Sequence, residues 1–178
     1  HGSVDESFAT LDQHGNTVAR EGNIGAPVEL DQTTRVVAFN NLADMKSALE
    51  HNDVAAILME PAMTNVGIVL PQPGYLKAVE KLAKDFGAKL IIDETHTISV
   101  GPGGMTAQEG LQPDFLTIGK AIGGGFPTGA FGMQEEIAKS IKVMVELEVI
   151  DTGGVGGTLA ANALSMAAMK ATLTKVLT

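Results

Sequence analysis

Cysteine is absent from the 178 residues, which excludes disulfides, thiolate metal ligands and thiol nucleophiles and leaves redox compartment undetermined. Basic residues are few: 12 Lys and Arg stand against 21 Asp and Glu, for a net charge of -9. No basic run relieves that imbalance, so a phosphate backbone or an anionic lipid surface would be repelled, and neither nucleic acid nor membrane is expected as a partner. The opening residues, HGSVDESFAT, have neither a basic n-region nor an apolar h-region. No apolar run approaches the roughly 20 residues that span a bilayer. A soluble, cytoplasmic protein is the expectation.

What the chain does have is 44% hydrophobic content and 21 glycines. The first suits one globular domain with a sizeable core, or a large piece of a bigger one. The glycines cluster at 101–104, 123–125 and 153–157, implying three tight or backbone-exposing turns. Residues 1–34 are polar and weakly periodic and read as a long connection with one short strand near Pro27 to Leu30. RVVAFN reads as a strand and NLADMKSALEH as a short helix with Leu42, Met45 and Leu49 on one face. VAAILMEP is a continuous apolar run, the pattern of a strand buried on both faces of a parallel sheet. PGYLKAVEKLAKDFG predicts a helix opening near Pro73, burying Leu76, Val79, Leu82, Ala83 and Phe86 and stopping at Gly87. AKLIIDE, PDFLTIGK and PTGAFGM are further strands, QEEIAKSI starts a helix, and GTLAANALSMAAMKATLTKVL reads as a long one. Short apolar strands alternating with amphipathic helices predict an α/β three-layer sandwich with a mostly parallel sheet.

In such sheets ligands gather outside the carboxyl ends of the strands. Three predicted strands end there in polar residues: Glu60, Asp93 with Glu94, and Lys120. Lys120 interrupts FLTIGKAIGGGFPTGAFG, a stretch otherwise almost wholly apolar or glycine, where a charge is costly to bury. Burial disfavours the charged form of any amine, and a neutral amine condenses with aldehydes. Pyridoxal phosphate is the cofactor whose protein partners are a Schiff-base lysine and an acid or arginine at the pyridine nitrogen. Strands ending in Asp93 and Lys120 could hold opposite edges of one flat ring. On residue type alone Lys120 is equally a solvated loop lysine, and Asp93 a cap or turn residue.

Other chemistries lack their signatures. Gly119-Lys120 is followed by Ala121 where a P-loop needs Ser or Thr, and the glycine runs from Gly101 and Gly154 fail G-x-G-x-x-G at Thr106 and Leu159. Asp93, Glu94 and His96 lack an H-E-x-x-H frame, so no metal is expected. G-x-S-x-G is also missing.

With Asp93 and Lys120 identified, the chain resembles the class III pyridoxal-phosphate-dependent aminotransferases of fold type I, and most closely their glutamate-1-semialdehyde aminomutase branch. The resemblance is carried by HGSVDE, by ILMEPAMTNVGIVLPQPGYLKAVEKLAKDFGAKLIIDE, by LQPDFLTIGKAIGGGFPTGAFG and by GTLAANALSMAA, in the family's order and over nearly the whole length. It implies that Lys120 forms the Schiff base and moves the substrate proton, while Asp93 pairs with the pyridinium nitrogen. Thr95 occupies a position where many members pack Val or Ile on the ring, and His96 one where Gln often meets the ring's 3′ oxygen. Thr158 looks like the threonine that reaches from one subunit of a homodimer to the cofactor phosphate of the other. Its ordinary role would be a helix N-cap. Glu60 and Asn65 match an E-P-x-x-x-N segment supporting the site, and His1 and Gly2 match the end of an aromatic-H-G motif.

Family members are longer. The resemblance therefore implies that residues 1–178 are an incomplete cofactor-binding large domain, lacking an N-terminal segment and the C-terminal small domain. The implied function is transamination between an α-, β- or ω-amino donor and an oxo acid or aldehyde. Aminomutase or racemase chemistry on the same lysine is the alternative, and an inactive dimerising fragment is the reading outside enzymology. The loop SVGPGGMTAQEGLQ between Asp93 and Lys120 reads as a surface connection or a cover over the site.

Overall fold

A computed structural model describes residues 5–22, 29–146 and 157–178. Two compact units divide near Asp53 and Val54. In the first, a short 3-10 turn, Asp5–Phe8, leads into an antiparallel hairpin of β1 (Ala9–Leu11) and β2 (Thr17–Ala19). The predicted long connection hides this hairpin. Its turn is organised by Asp12, whose carboxylate accepts from the backbone N–H groups of His14 at 2.8 Å and Asn16 at 2.9 Å. Asp side chains favour turns because they can satisfy nearby backbone donors in this way.

RVVAFN is not a strand. The Arg35 guanidinium grips both oxygens of Asp53 at 2.6 and 2.7 Å, and the Val36 N–H meets the Thr17 hydroxyl at 3.4 Å. Side-chain partners replace a sheet ladder here, and Asn40 closes the segment with a φ of 68°. The strand expected near Pro27 falls on residues 23–28, outside the described residues, and Leu30 begins a one-turn helix, α1 (Leu30–Thr33). Helix α2 (Leu42–Leu49) matches its prediction, with the Asn41 side chain accepting from Asp44 N–H as N-cap. Met45 and Leu49 are buried, but Leu42, in the first turn, is exposed.

The second unit is an α/β structure built on a four-stranded sheet in the order β3 (Ala56–Met59), β4 (Lys89–Asp93), β5 (Phe115–Ile118) and β6 (Ala130–Met133). β3, β4 and β5 run parallel, and β6 returns antiparallel to β5. The sheet is thus mostly parallel, as the alternating pattern predicts. β3 corrects one detail. Ile57 and Met59 are buried, but Leu58 is 47% exposed, so the apolar run is covered on one face only. An apolar run alone does not reveal which faces a sheet position offers.

Helix α3 (Tyr75–Phe86) starts two residues after Pro73. Gln72, Pro73, Gly74 and Tyr75 form a turn closed by the Tyr75 N–H on the Gln72 carbonyl at 3.0 Å, with proline and glycine at the two central positions that suit them. Leu76, Val79 and Ala83 are buried, Val79 completely. The helix ends with the Ala88 N–H on the Ala83 carbonyl at 2.9 Å and the Gly87 N–H on the Lys84 carbonyl, the paired closure of a Schellman motif. The remaining helices are α4 (Gly104–Gln108), α5 (Glu135–Glu146) and α6 (Ala163–Lys175). α6 starts later than predicted, because the Asn162 side chain accepts from Ser165 N–H at 2.9 Å and fixes the N-terminus there. Thr158 is therefore not the N-cap but an exposed residue of the preceding turn.

Two carboxylates pin the loops at the amino end of β5. Glu80 accepts from Lys77 at 2.9 Å and from Gln112 N–H, and Asp114 accepts from Leu90 N–H and Lys89, both at 2.9 Å. Burial pushes both carboxyls up, but the lysines and backbone donors outweigh it and hold both below the ordinary carboxylate range. Lowered folded values mean that the stabilisation is complete above the unfolded values of about 4 and is lost as pH falls through the folded ones. In urea melts, the stability gap between wild type and an E80Q/D114N double variant is expected to be largest near pH 7 and to close below about pH 4. A gap independent of pH would contradict this assignment.

Candidate active site

The parallel register sets the site's frame. Asp93, the last residue of β4, pairs with Thr117 of β5, and the Glu94 N–H extends the ladder to the Thr117 carbonyl at 2.8 Å. Lys120 follows β5 by two residues and opens a 3-10 turn, Lys120–Gly123. Asp93 and Lys120 therefore leave adjacent parallel strands at the same, carboxyl end. Glu60 follows the last residue of β3 at that end. The three polar strand ends predicted from sequence do converge on one edge.

Lys120 itself departs from the expectation of a buried amine: it is exposed. Its backbone carries the tension instead, with a φ of 43°. This is the left-handed region, which costs a residue with a Cβ about 1–2 kcal/mol, and non-glycine residues held there cluster at functional sites. Gly124 and Gly125 continue the turn with φ values of 57° and 96°. Ile122 is fully buried, and α6 packs against this turn, where a Cβ on Gly124 would lie 2.7 Å from the Thr172 hydroxyl. The lysine thus stands on a braced turn.

Asp93 is buried, and one of its oxygens accepts from Thr95 N–H at 2.9 Å. The half-buried Thr95 lies beside the Lys120 turn: a Cβ on Gly119 would be 3.5 Å from its methyl group. His96 is half-buried, and its Nε2 is 2.7 Å from Lys120 Nζ. Its Nδ1 contacts the hydroxyl of Thr64, which donates to Glu60 Oε2 at 2.5 Å. Glu60 is thereby joined to Lys120 through two intervening side chains. Asn65 is exposed in a loop closed by the Met63 and Val69 backbone pair. Thr158 is exposed at the approach to α6, and His1 and Gly2 lie outside the described residues.

Thr64 was not singled out from sequence, and Glu94 was noted there only as a polar strand end beside Asp93. Thr64 sits inside the E-P-x-x-x-N segment, but only the fold brings it to His96. Glu94 is fully buried and accepts from the Thr97 hydroxyl at 2.5 Å, from Met105 N–H at 3.3 Å and from Thr106 N–H. It organises the loop after β4, which contains a 3-10 turn, Thr97–Val100, and α4 and is more than a plain surface connection. The signal for Glu94 was a carboxylate at a strand end followed by glycines.

The donor set suits pyridoxal phosphate: an accessible amine to meet its aldehyde and a buried carboxylate on the neighbouring strand for its ring nitrogen. Among the described residues no group of three His, Asp or Glu side chains could hold a metal ion. A depression of about 260 Å³ lined by Pro113, Asp114, Leu116, Gly132, Met133 and Gln134 lies toward the opposite end of β5 from Lys120.

Known proteins resemble this chain in sequence and in fold. The chain is 36% identical over 176 residues to glutamate-1-semialdehyde 2,1-aminomutase of Methanothrix thermoacetophila, covering 97% of this chain and 39% of that enzyme. A crystal structure of a glutamate-1-semialdehyde-aminomutase from Pseudomonas aeruginosa superposes on the whole chain with a TM-score of 0.93 and 46% identity, over 40% of its own length. A lysine-to-alanine variant of the Pseudomonas enzyme, in complex with PMP, matches equally well at 0.93 and 45%, again over 100% of this chain and 40% of that one. An omega-transaminase from Sphaerobacter thermophilus matches at a TM-score of 0.79 and 29% identity, over 99% of this chain and 42% of that one. The chain thus spans about 40% of the length of these relatives. Residues 10–178 match the family model described as aminotransferase class-III, and the chain belongs to that family.

Proposed function

We propose that the protein carrying this chain is a pyridoxal-phosphate-dependent aminotransferase, moving an amino group between an amino acid and an oxo acid or aldehyde. The observation that carries this reading is Lys120 held at a φ of 43° on the strand end next to Asp93. When bound, the cofactor supplies an aldehyde for an amine and a ring that takes up an electron pair. Lys120 provides the amine and carries the proton that leaves and rejoins the substrate carbon. Asp93, with one oxygen oriented by Thr95 N–H, holds a protonated ring nitrogen in place. The Thr95 side chain packs against the ring, and His96 serves Lys120 from the side. Glu60 and Asn65 support the loop that carries Thr64.

A second reading is favoured by the 36–46% identity to glutamate-1-semialdehyde aminomutases: transfer of the amino group within one molecule. The same lysine and aspartate serve both. We further propose a cytoplasmic homodimer in which the exposed Thr158 of one subunit reaches the cofactor phosphate of its partner, with residues 1–178 forming part of the cofactor-binding large domain. Among the described residues no helix is long and apolar enough to cross a membrane.

The test is borohydride reduction of the full-length protein mixed with pyridoxal phosphate, followed by peptide mapping. The label is expected on Lys120; a label confined to other lysines would sink the assignment. Loss of the cofactor's visible band on adding α-, β- or ω-amino donors then identifies the donor class. Isomerisation of glutamate-1-semialdehyde without a second substrate would favour the aminomutase.

A further inference from the structure

The contacts that join Lys120 to Glu60 have a direction. Thr64 has one hydroxyl proton and spends it on Glu60 Oε2, 2.5 Å away. Its contact with His96 Nδ1 therefore requires the ring nitrogen to donate. A neutral imidazole protonated on Nδ1 leaves Nε2 with a lone pair, and that atom lies 2.7 Å from Lys120 Nζ, a group that only donates in its charged form. Every bond in the chain then runs the same way, from Lys120 through His96 and Thr64 to Glu60. Free imidazole has no such constraint on its tautomer.

We propose that His96 is a catalytic base acting on Lys120, with Thr64 and Glu60 as positioning residues that fix its tautomer. This deepens the function proposed above and rests on Lys120 being the amine that meets an aldehyde. Neutral Lys120 still has an N–H to give to Nε2 and has a lone pair besides; as that pair forms the N–C bond, the carbonyl π pair moves to oxygen and the nitrogen becomes positive. One N–H bond breaks and its proton passes to Nε2. The Glu60 carboxylate, reached through the Thr64 hydroxyl, balances the resulting imidazolium. That proton passes to the former carbonyl oxygen and makes a hydroxyl; the remaining N–H proton follows by the same route, so the oxygen leaves as water when the C=N bond forms and His96 is neutral again. No oxidant or outside base is needed. Asp93 and Glu94 carry charge at the end of β4, and α6, which packs against the Lys120 turn, contains Lys170 and Lys175.

The experiment uses full-length protein freed of cofactor, pulsed with benzaldehyde and quenched with borohydride at set times. Benzylated Lys120 is measured against Lys139 and Lys170 in the same digest. His96→Ala is expected to slow Lys120 labelling about a hundredfold, the lower end of what a positioned base contributes, and added imidazole should restore part of the rate. Thr64→Val should slow Lys120 without an imidazole response. In ¹⁵N-histidine-labelled wild type, which needs no variant to fold, long-range NMR correlations should show His96 protonated on Nδ1. Unchanged labelling in His96→Ala, slowing that imidazole does not relieve, or a proton on Nε2 would each overturn the proposal. Borohydride trapping of pyridoxal phosphate on a different lysine would instead remove the underlying function, whatever the benzaldehyde rates.

Discussion

Lys120→Ala is expected to lower amino-group transfer by the full-length protein by about 10⁴-fold or more, since removal of a covalent nucleophile forfeits the step it performs. Lys120→Arg is the sharper variant. Arginine keeps the positive charge and length but is always protonated and cannot attack an aldehyde. If Lys120 served only as a cation or as a surface residue, arginine would preserve activity, and a rate within about tenfold of wild type would defeat the assignment. Lys120→Gly carries a second, opposite expectation. The left-handed φ of 43° is strained for lysine and relaxed for glycine. Glycine should therefore raise stability by up to about 1 kcal/mol while removing activity, partly offset by greater freedom in the unfolded chain. Urea melts alongside rate measurements separate the two effects.

Glu94→Ala is expected to cost about 3 kcal/mol or more in stability. The side chain is fully buried and meets only donors: the Thr97 hydroxyl and the N–H groups of Met105 and Thr106. Alanine strands those donors away from water, at about 1–3 kcal/mol for each group left unsatisfied. Gly104→Ala should damage the same spot from the other side. Its φ is 66°, and a Cβ would sit 2.7 Å from Glu94 Oε2. Both variants should loosen the segment between β4 and β5, and hydrogen exchange at Thr106 N–H reports that locally. A Glu94→Ala protein as stable as wild type would show that the buried carboxyl does not organise the loop.

The sequence by itself determined much of this protein. Residues 115–132 marked Lys120, and IIDE marked Asp93, because a charge at the end of an apolar run has few inexpensive explanations. Helix α3 was legible from its apolar spacing and from Pro73 and Gly87, since local backbone chemistry sets those boundaries. The structure alone decided what depends on partners distant along the chain. RVVAFN has strand-like residues but pairs with no strand among the described residues. The Leu58 side of β3 is exposed while the side carrying Ile57 and Met59 is covered, a difference between faces that no single apolar run encodes. α6 starts at the side chain that caps it, Asn162, and not at the first alanine-rich residue. Lys120 looked like a buried amine and is an exposed one with a strained backbone. Its neighbour His96 is 24 residues away and Thr64 another 32. Single residues and their chemistry are local properties; the order in which their hydrogen bonds connect is set by strand register.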